Sequence, residues 1–587
     1  MDSQKIDNQL NLALDSTEAE RAKSGNLNVG YNTSDKTWQL IVRYAGSLDN
    51  IRQLGVDVQE LLGGYAILTM PENLVDVVSA ASEILYVEKP KRLNFAIENS
   101  KRVSCMNPVQ RAPYNLHGEG CIVAVIDSGI DYESRVFLDE NGETRILELW
   151  DQTLSDISEK SPPVGYSLGV LYSREDINEA LKLANTARYQ RVPSRDISGH
   201  GTSVASIAVG NFSSIITANP SGDIGVATRA DIIVVKLGNP LPDSFPKTSE
   251  LMLAIDFCVR RGLYYGRPLA INISFGNNYG SHDGSSLLAT YIDTVAAMGR
   301  TVIAVGSGNE GASGSHAEEV LEKGSNGSVS GIQFGVGQFE TSFNIQVWKN
   351  YADSFHIEIV SPSGASTGNL PNKLGAYRYT VENTQLLIYY GEPSPYSRYQ
   401  EVFIEFIPRE SYIDEGIWQI KLTPVNVVDG RVDMWLPSQR TSLDTRFLKP
   451  SVSTTLTVPS TSSRVITVGA YDAYNFSYAD FSGRGYTRAT NMIKPDIVAP
   501  GVNIQCIAPG DILVERTGTS FATPFVAGGA ALMMEWGIVR GNDPYLYGEK
   551  VKAYMIRGAK RLPGYNEYPN PQLGWGALCV ADSLPLS

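Results

Sequence analysis

Three short segments carry side chains that together could break an amide bond. VIDSGID sets Asp127 where an apolar run stops. SGHGTSVAS sets His200 between two glycines, ahead of a helical pattern. TGTSFATPFVAGGAALMM sets Ser520 at the start of a long run of small residues. Amide hydrolysis needs a hydroxyl nucleophile, a base for its proton and a carboxylate to hold the imidazole. Each residue alone has an ordinary structural reading: an aspartate capping a turn, a histidine exposed at a helix start, a serine as N-cap. Of the five histidines, however, His200 alone sits at a glycine-flanked helix start. Ser520 falls where backbone N–H groups lack partners and the positive end of the helix dipole points outward.

The surrounding pattern says what must position these residues. From Cys121 to about Gly311, the β-branched runs IVAVID, DIIVVKLG, LAINISFG and TVIAVGS alternate with helical stretches such as SELMLAIDFCVRRGL. This predicts a parallel sheet with helices on both faces, whose functional residues gather at the carboxyl ends of the strands. Between about 320 and 450, FNIQVWKN, FHIEIVSP, EVFIEFIP and GIWQIKL alternate apolar and polar residues, which predicts an inserted, jelly-roll-like β-sandwich. The α/β pattern resumes at SRVITVGAYD. Near the start, WQLIVRY opens a β-α-β-β-α-β order, a ferredoxin-like α+β module. Pro71 is expected to open its second helix, and ILYVEKPKRLNFAIENS to leave it as an extended tail. The expected divisions are 1–100, 101–318 and 453–587 (the two parts of the α/β domain), and 319–452 for the sandwich.

A chain of 587 residues with formal net charge −14 argues against nucleic acid as a partner, since phosphate binding needs a cationic excess. The first residues have no signal-peptide core, and no apolar stretch approaching 18 residues is evident, so no membrane partner and a cytoplasmic location are expected. Five cysteines without C-x-x-C spacing read as buried free thiols, neither a disulfide framework nor a metal site.

The order Asp127, His200, Ser520 is the one found in subtilisin, distinct from that of chymotrypsin and the α/β-hydrolases. VIDSGID, GHGTSVAS and GTSFATP resemble the aspartate, histidine and serine motifs of the subtilisin-like serine proteases (subtilases, peptidase family S8). The resemblance covers about 117–311 and 454–580 and implies a serine endopeptidase acting on protein or peptide substrates. VIAVGSGNEG resembles the family's oxyanion strand, with Asn309 as donor beside the backbone N–H of Ser520. INISFGNNYG resembles its substrate strand, so Ser274, Phe275 and Gly276 are expected to receive an extended peptide, Gly276 allowing close approach. Val305, Gly306 and Ser307 are expected as the opposite wall of the first specificity pocket. By position, residues 1–100 match a propeptide, a partner of the enzyme itself that is cleaved near Ser100. No cofactor is implied, and calcium ligands common in the family find no residue-by-residue match. The segments TRILELWDQTL and YSREDINEALKL, between Asp127 and His200, suggest added loops near the cleft. With TRILELWDQ, the β-insert and no signal peptide, the chain looks most like the clostridial Csp-type germination proteases, which activate a spore-cortex hydrolase zymogen; this adds a spore-associated location to the expectation. That subfamily includes catalytically silent members acting in binding or signalling, the alternative reading, though such members usually lose a triad residue.

Overall fold

The computed structural model describes residues 5–17, 21, 27–61, 63–90, 96–154, 160–211, 225–238, 246–324, 328–438 and 444–585. The chain divides into two compact units, Met1–Phe95 and Ala96–Ser587.

In the first unit, Thr37–Tyr44, Asp57–Leu61, Tyr65–Pro71 and Ile84–Glu88 form an antiparallel sheet. Thr37–Tyr44 and Tyr65–Pro71 pair at its centre, with Ile84–Glu88 and Asp57–Leu61 outside them, the ferredoxin-like order. Alternation puts Trp38, Leu40 and Val42 into the core with Val75 and Val78 of the helix Val75–Ala80. Pro71 closes its strand ahead of a 3₁₀ turn, Glu72–Leu74, and so stands before the helix.

The second unit is built on a nine-stranded sheet. Its strands run Ser477–Tyr478, Ile466–Asp472, Thr301–Gly306, Leu269–Ile273, Ile122–Asp127, Asp231–Lys236, Ile146–Asp151 and Val170–Ser173, with Ile497–Pro500 also paired to Ile466–Asp472. All pairs are parallel except those of the two edge strands Ser477–Tyr478 and Val170–Ser173. Val123 and Val125 face the helices His200–Val209 and Thr519–Met534, whereas Ile122, Ala124 and Ile126 face Thr248–Tyr265 and Leu287–Val295. The chain leaves Ile122–Asp127 for one side of the sheet and later crosses to Leu269–Ile273 on the other. Strand order therefore reverses between these two neighbours, which opens a crevice at their carboxyl ends. Thr519–Val539 is long and apolar enough to cross a membrane by composition, and 83% of its most apolar window is buried as the core helix.

The insert is a two-sheet sandwich, with six strands in one sheet and four in the other, running from His316–Val320 to Arg446–Phe447. Three expectations need correction. TRILELWDQTL is not a cleft loop: Ile146–Asp151 is a strand of the main sheet, and YSREDINEALKL supplies its edge strand and the capped helix Arg174–Leu181. Cys105 and Cys579 are joined in a disulfide, while Cys121, Cys258 and Cys506 are buried and free. The C-terminal part of the expected extended tail is the helix Ala96–Val103; residues 91–95 lie outside the described residues.

Candidate active site

Asp127 ends its strand and is fully buried. Its Oδ1 accepts from His200 Nδ1 at 2.6 Å and from the Ser128 N–H at 2.8 Å, while Oδ2 is buried without a hydrogen-bond partner among the described residues. A carboxylate can only accept, so Nδ1 carries the proton of this hydrogen bond. The contact depends on Gly201. A Cβ there would lie 2.1 Å from Gly129 O and 3.1 Å from Asp127 Cβ, so any side chain would push the helix off the strand end. Gly199, at the N-cap of that helix, has φ 71°, a left-handed conformation suited to glycine.

Asp196 locks this corner and was missed in the sequence. One carboxylate oxygen accepts from Ser128 Oγ (2.9 Å) and the Gly199 N–H (2.9 Å); the other accepts from the Thr202 N–H (2.8 Å) and hydroxyl (2.7 Å). Ser128 Oγ in turn accepts from the Gly201 N–H at 3.0 Å. Asp196 thus ties the loop after Asp127 to the first turn of the His200 helix. An acidic residue four positions ahead of a helix-start histidine, in DISGHG, was the available signal.

Ser520 is the second residue of Thr519–Met534, half-buried, and the next side chain, Phe521, puts its ring 5.3 Å from that of His200. Asn309 Oδ1 accepts from the Thr519 N–H (3.0 Å) and hydroxyl (3.1 Å). Holding the amide by its oxygen turns Nδ2 toward the helix start, where a Cβ on Gly518 would lie 3.4 Å from it. Asn309 is thus fastened to the first turn of the helix that carries Ser520.

The expected substrate strand is adjacent. Ser520 Oγ donates to Ser274 O at 3.4 Å, and Ser274 Oγ donates to Ser520 O at 3.2 Å. Phe275 is half-buried against the core beneath Thr248–Tyr265. Gly276 is exposed, but its missing side chain serves an internal contact: a Cβ would lie 2.4 Å from Thr457 Oγ1. Val305, Gly306 and Ser307 are buried; Val305 packs in the core, and a Cβ on Gly306 would approach the hydroxyls of Thr523 (3.1 Å) and Thr519 (3.3 Å). Between these expected walls runs a segment that was not singled out in the sequence. Thr457 N–H donates to Ser307 O (3.0 Å), and Val458 exchanges both backbone hydrogen bonds with Asn277 (2.8 and 3.0 Å). Ser100 is buried within the helix Ala96–Val103.

A cavity of about 640 Å³ flanks the loops next to Asp127 and His200, lined by Asp131, Tyr189, Arg195, Asp196, Pro509 and Asp511 among others. Burial raises the Asp131 carboxyl above its usual range, against the lowering effect of the Gly510 and Glu133 N–H groups. Among the described residues, no group of three or more His, Cys, Asp or Glu side chains converges as a metal site.

A model of the subtilase family matches residues 118–398 and 448–576, and one of the Csp protease B prodomain matches 4–91. Serine protease AprX of Bacillus subtilis (strain 168) is 34% identical over 153 residues, 23% of this chain and 32% of that protein. Subtilisin BL of Lederbergia lenta is 40% identical over 118 residues, 20% of this chain and 39% of that protein. The chain thus spans about a third of the length of these curated relatives. The structure of the Clostridium perfringens CspB protease matches with TM-score 0.74 and 36% identity, covering 83% of this chain and 96% of that one.

Proposed function

Because the chain belongs to the subtilase family, we propose that it is a serine endopeptidase in which Ser520 attacks the scissile carbonyl, His200 moves the proton and Asp127 holds the imidazole. The observation that carries this reading is the 2.6 Å Asp127–His200 contact set beside a serine at a helix start. The Ser520 hydroxyl, turned to Ser274 O in this structure, swings to His200 Nε2, loses its proton as Oγ bonds to the carbonyl carbon, and leaves a tetrahedral oxyanion. Asn309 Nδ2 and the Ser520 N–H stabilise that charge. His200 then returns the proton to the departing amine, and water repeats the sequence on the acyl-enzyme. An extended peptide lies along Ser274–Gly276 as an added strand. A fluorophosphonate probe, which reacts only with an activated serine, tests the assignment. Labelling of wild-type protein at Ser520, with none in Ser520→Ala, is expected; labelling elsewhere would remove it.

The first unit is proposed as a propeptide removed by the enzyme itself near Ser100. In this structure that bond is helical and buried, so processing requires the helix Ala96–Val103 to unwind. N-terminal sequencing should find a new terminus between Ala96 and Cys105 in wild-type protein and none in Ser520→Ala. The proposed physiological substrate is a spore-cortex hydrolase zymogen, cleaved during germination. This rests on the resemblance of TRILELWDQ and the sandwich insert to the Csp-type proteases, and is tested by incubating such a zymogen with wild-type and Ser520→Ala protein.

A further inference from the structure

Among the links from the sandwich to the segment that follows the proposed substrate strand, a buried amide bonds its backbone twice. Along Phe343–Asn350, Phe343, Ile345 and Val347 point into the sandwich core, so Gln346 points the other way, toward the parallel-sheet body. Gln346 is only 1% exposed, and an amide so deeply buried is costly unless its polar atoms are bonded. Its Nε2 donates to Asn278 O at 3.3 Å and its Oε1 accepts from the Gly280 N–H at 2.9 Å. The side chain thus gives two backbone groups, two residues apart, the donor and acceptor that a neighbouring strand would supply. Asn278 lies two residues beyond Gly276. Its side-chain amide donates to Ser315 Oγ, just before the first strand of the insert, and to Leu436 O, just after the strand Arg431–Trp435, both at 3.2 Å. Beside it, Trp435 is stacked between His282 (4.1 Å) and His316 (4.6 Å), and His282 contacts Asn278 O through Nε2 at 3.1 Å. Every polar atom of the Asn278 side chain and carbonyl that has been named is held by the insert or by a residue stacked against it.

We propose that Gln346 is a positioning residue for substrate: by clamping Asn278 and Gly280 it fixes the exit of Ser274–Gly276, and so lets the sandwich set the affinity for an extended peptide. The inference rests on the reading of Ser274–Gly276 as the substrate strand. The other end of that strand is tied to Ser520 and the segment after it to Val458, so the clamp completes a fixation that neither contact supplies alone. The reacting groups are held separately, by Asp196 at His200 and by Thr519 at Asn309. Losing the clamp therefore weakens peptide binding and leaves the nucleophile activated.

Two variants of the full chain test this. Gln346→Ala removes both bonds. Gln346→Glu keeps the shape and the acceptor for Gly280 but sets a second carboxylate oxygen against Asn278 O. Two rates are compared: fluorophosphonate labelling of Ser520, which needs no peptide strand, and hydrolysis of a fluorogenic hexapeptide. Both variants should raise KM by about tenfold with kcat and the labelling rate within about twofold of wild type, the pattern of lost ground-state binding. Unchanged KM in Gln346→Ala overturns the inference alone. Equal loss of labelling and hydrolysis in both variants also overturns it, since Gln346 would then support the whole fold. An unlabelled, inactive wild type instead overturns the endopeptidase reading, and the inference with it.

Discussion

Two histidine–aspartate pairs occupy contrasting regions of this molecule. His200 meets Asp127 at the carboxyl end of a parallel strand, with 24% of the imidazole side chain exposed. His316 meets Asp433 at 3.1 Å where the sandwich joins the parallel-sheet body, and neither side chain is exposed. The second ring nitrogen of His316 faces Ser453 O at 2.7 Å, and Trp435 covers one ring face. Asp433 also accepts from Arg488 Nε at 2.6 Å and Arg431 Nε at 3.1 Å. An imidazole enclosed on every edge passes no proton to a substrate; its partners make it a fastener. A short His–Asp contact is therefore no mark of catalysis. What distinguishes His200 is its partial exposure and its packing against Phe521, the neighbour of Ser520 at a helix start.

The sharpest way to break this contrast is to remove the reacting groups. Ser520→Ala and His200→Ala should each lower kcat by on the order of 10⁶, a magnitude taken over from subtilisin itself, while the thermal midpoint stays near wild type. Substantial turnover in either variant, measured with a fluorogenic peptide, would erase the distinction between the pairs. Asn309→Ala comes next, with kcat down on the order of 10²–10³ (again subtilisin's figure) and KM little changed. A raised KM with intact kcat would make Asn309 a substrate-positioning group.

The same operation on the fastener should give the opposite signature. His316→Ala removes one hydrogen-bond partner of the buried Asp433 carboxylate and should cost about 2 kcal/mol of stability, read from denaturant midpoints, with the labelling rate of the folded protein unchanged. Slowed labelling at full folding would mean that the seam reaches the chemistry. The smallest effect is a slope. Burial works to raise the Asp433 carboxyl, but His316, Arg488 and Arg431 outweigh it and hold it well below the usual carboxylate value of 3.8. A depressed carboxyl binds its proton less readily in the folded state, so its stabilisation is complete above about pH 3.8 and is lost as pH falls further. Asp433→Asn should flatten that acid limb by up to about 1 kcal/mol per pH unit, measured by urea unfolding between pH 2 and 5.

Local signals were easily read from the sequence. The β-branched runs, the glycines around His200 and the alternation of the sandwich strands each follow from periods of a few residues, and they lead directly to the sheet, the helix starts and the insert. Contacts made across hundreds of residues were not legible. Nothing near Gly276 announces Thr457, nor does anything near Cys105 announce Cys579, because both partners arrive only when the chain is folded. Gln346 looked like any outward polar residue of an amphipathic strand, since alternation tells which face a side chain takes but not what covers that face. Ala96–Val103 shows the converse error: position suggested an extended tail, whereas AIENSKRV forms a helix. Asp196 stands within local reach, four residues from His200, but its carboxylate takes the Gly199 and Thr202 N–H groups from outside the N-cap position, where a capping acceptor is usually found.

The Cys105–Cys579 link also bears on how this chain could be re-engineered. The two Cα atoms are 4.8 Å apart, and the Val580 N–H donates to Ser104 O at 3.0 Å, so the beginning and end of the second unit lie side by side. Topologically, that unit is close to a ring. A circular permutant that fuses these neighbouring ends through a short linker, and opens the chain at the exposed Asn141–Gly142 turn, cuts only the connection between Ile122–Asp127 and Ile146–Asp151 and leaves every strand of the main sheet whole. Such a permutant detaches residues 1–95 from the start of the unit without trimming any element of it, giving a route to ask, by refolding kinetics with and without the first unit in trans, whether that unit changes the folding rate when it is not covalently joined.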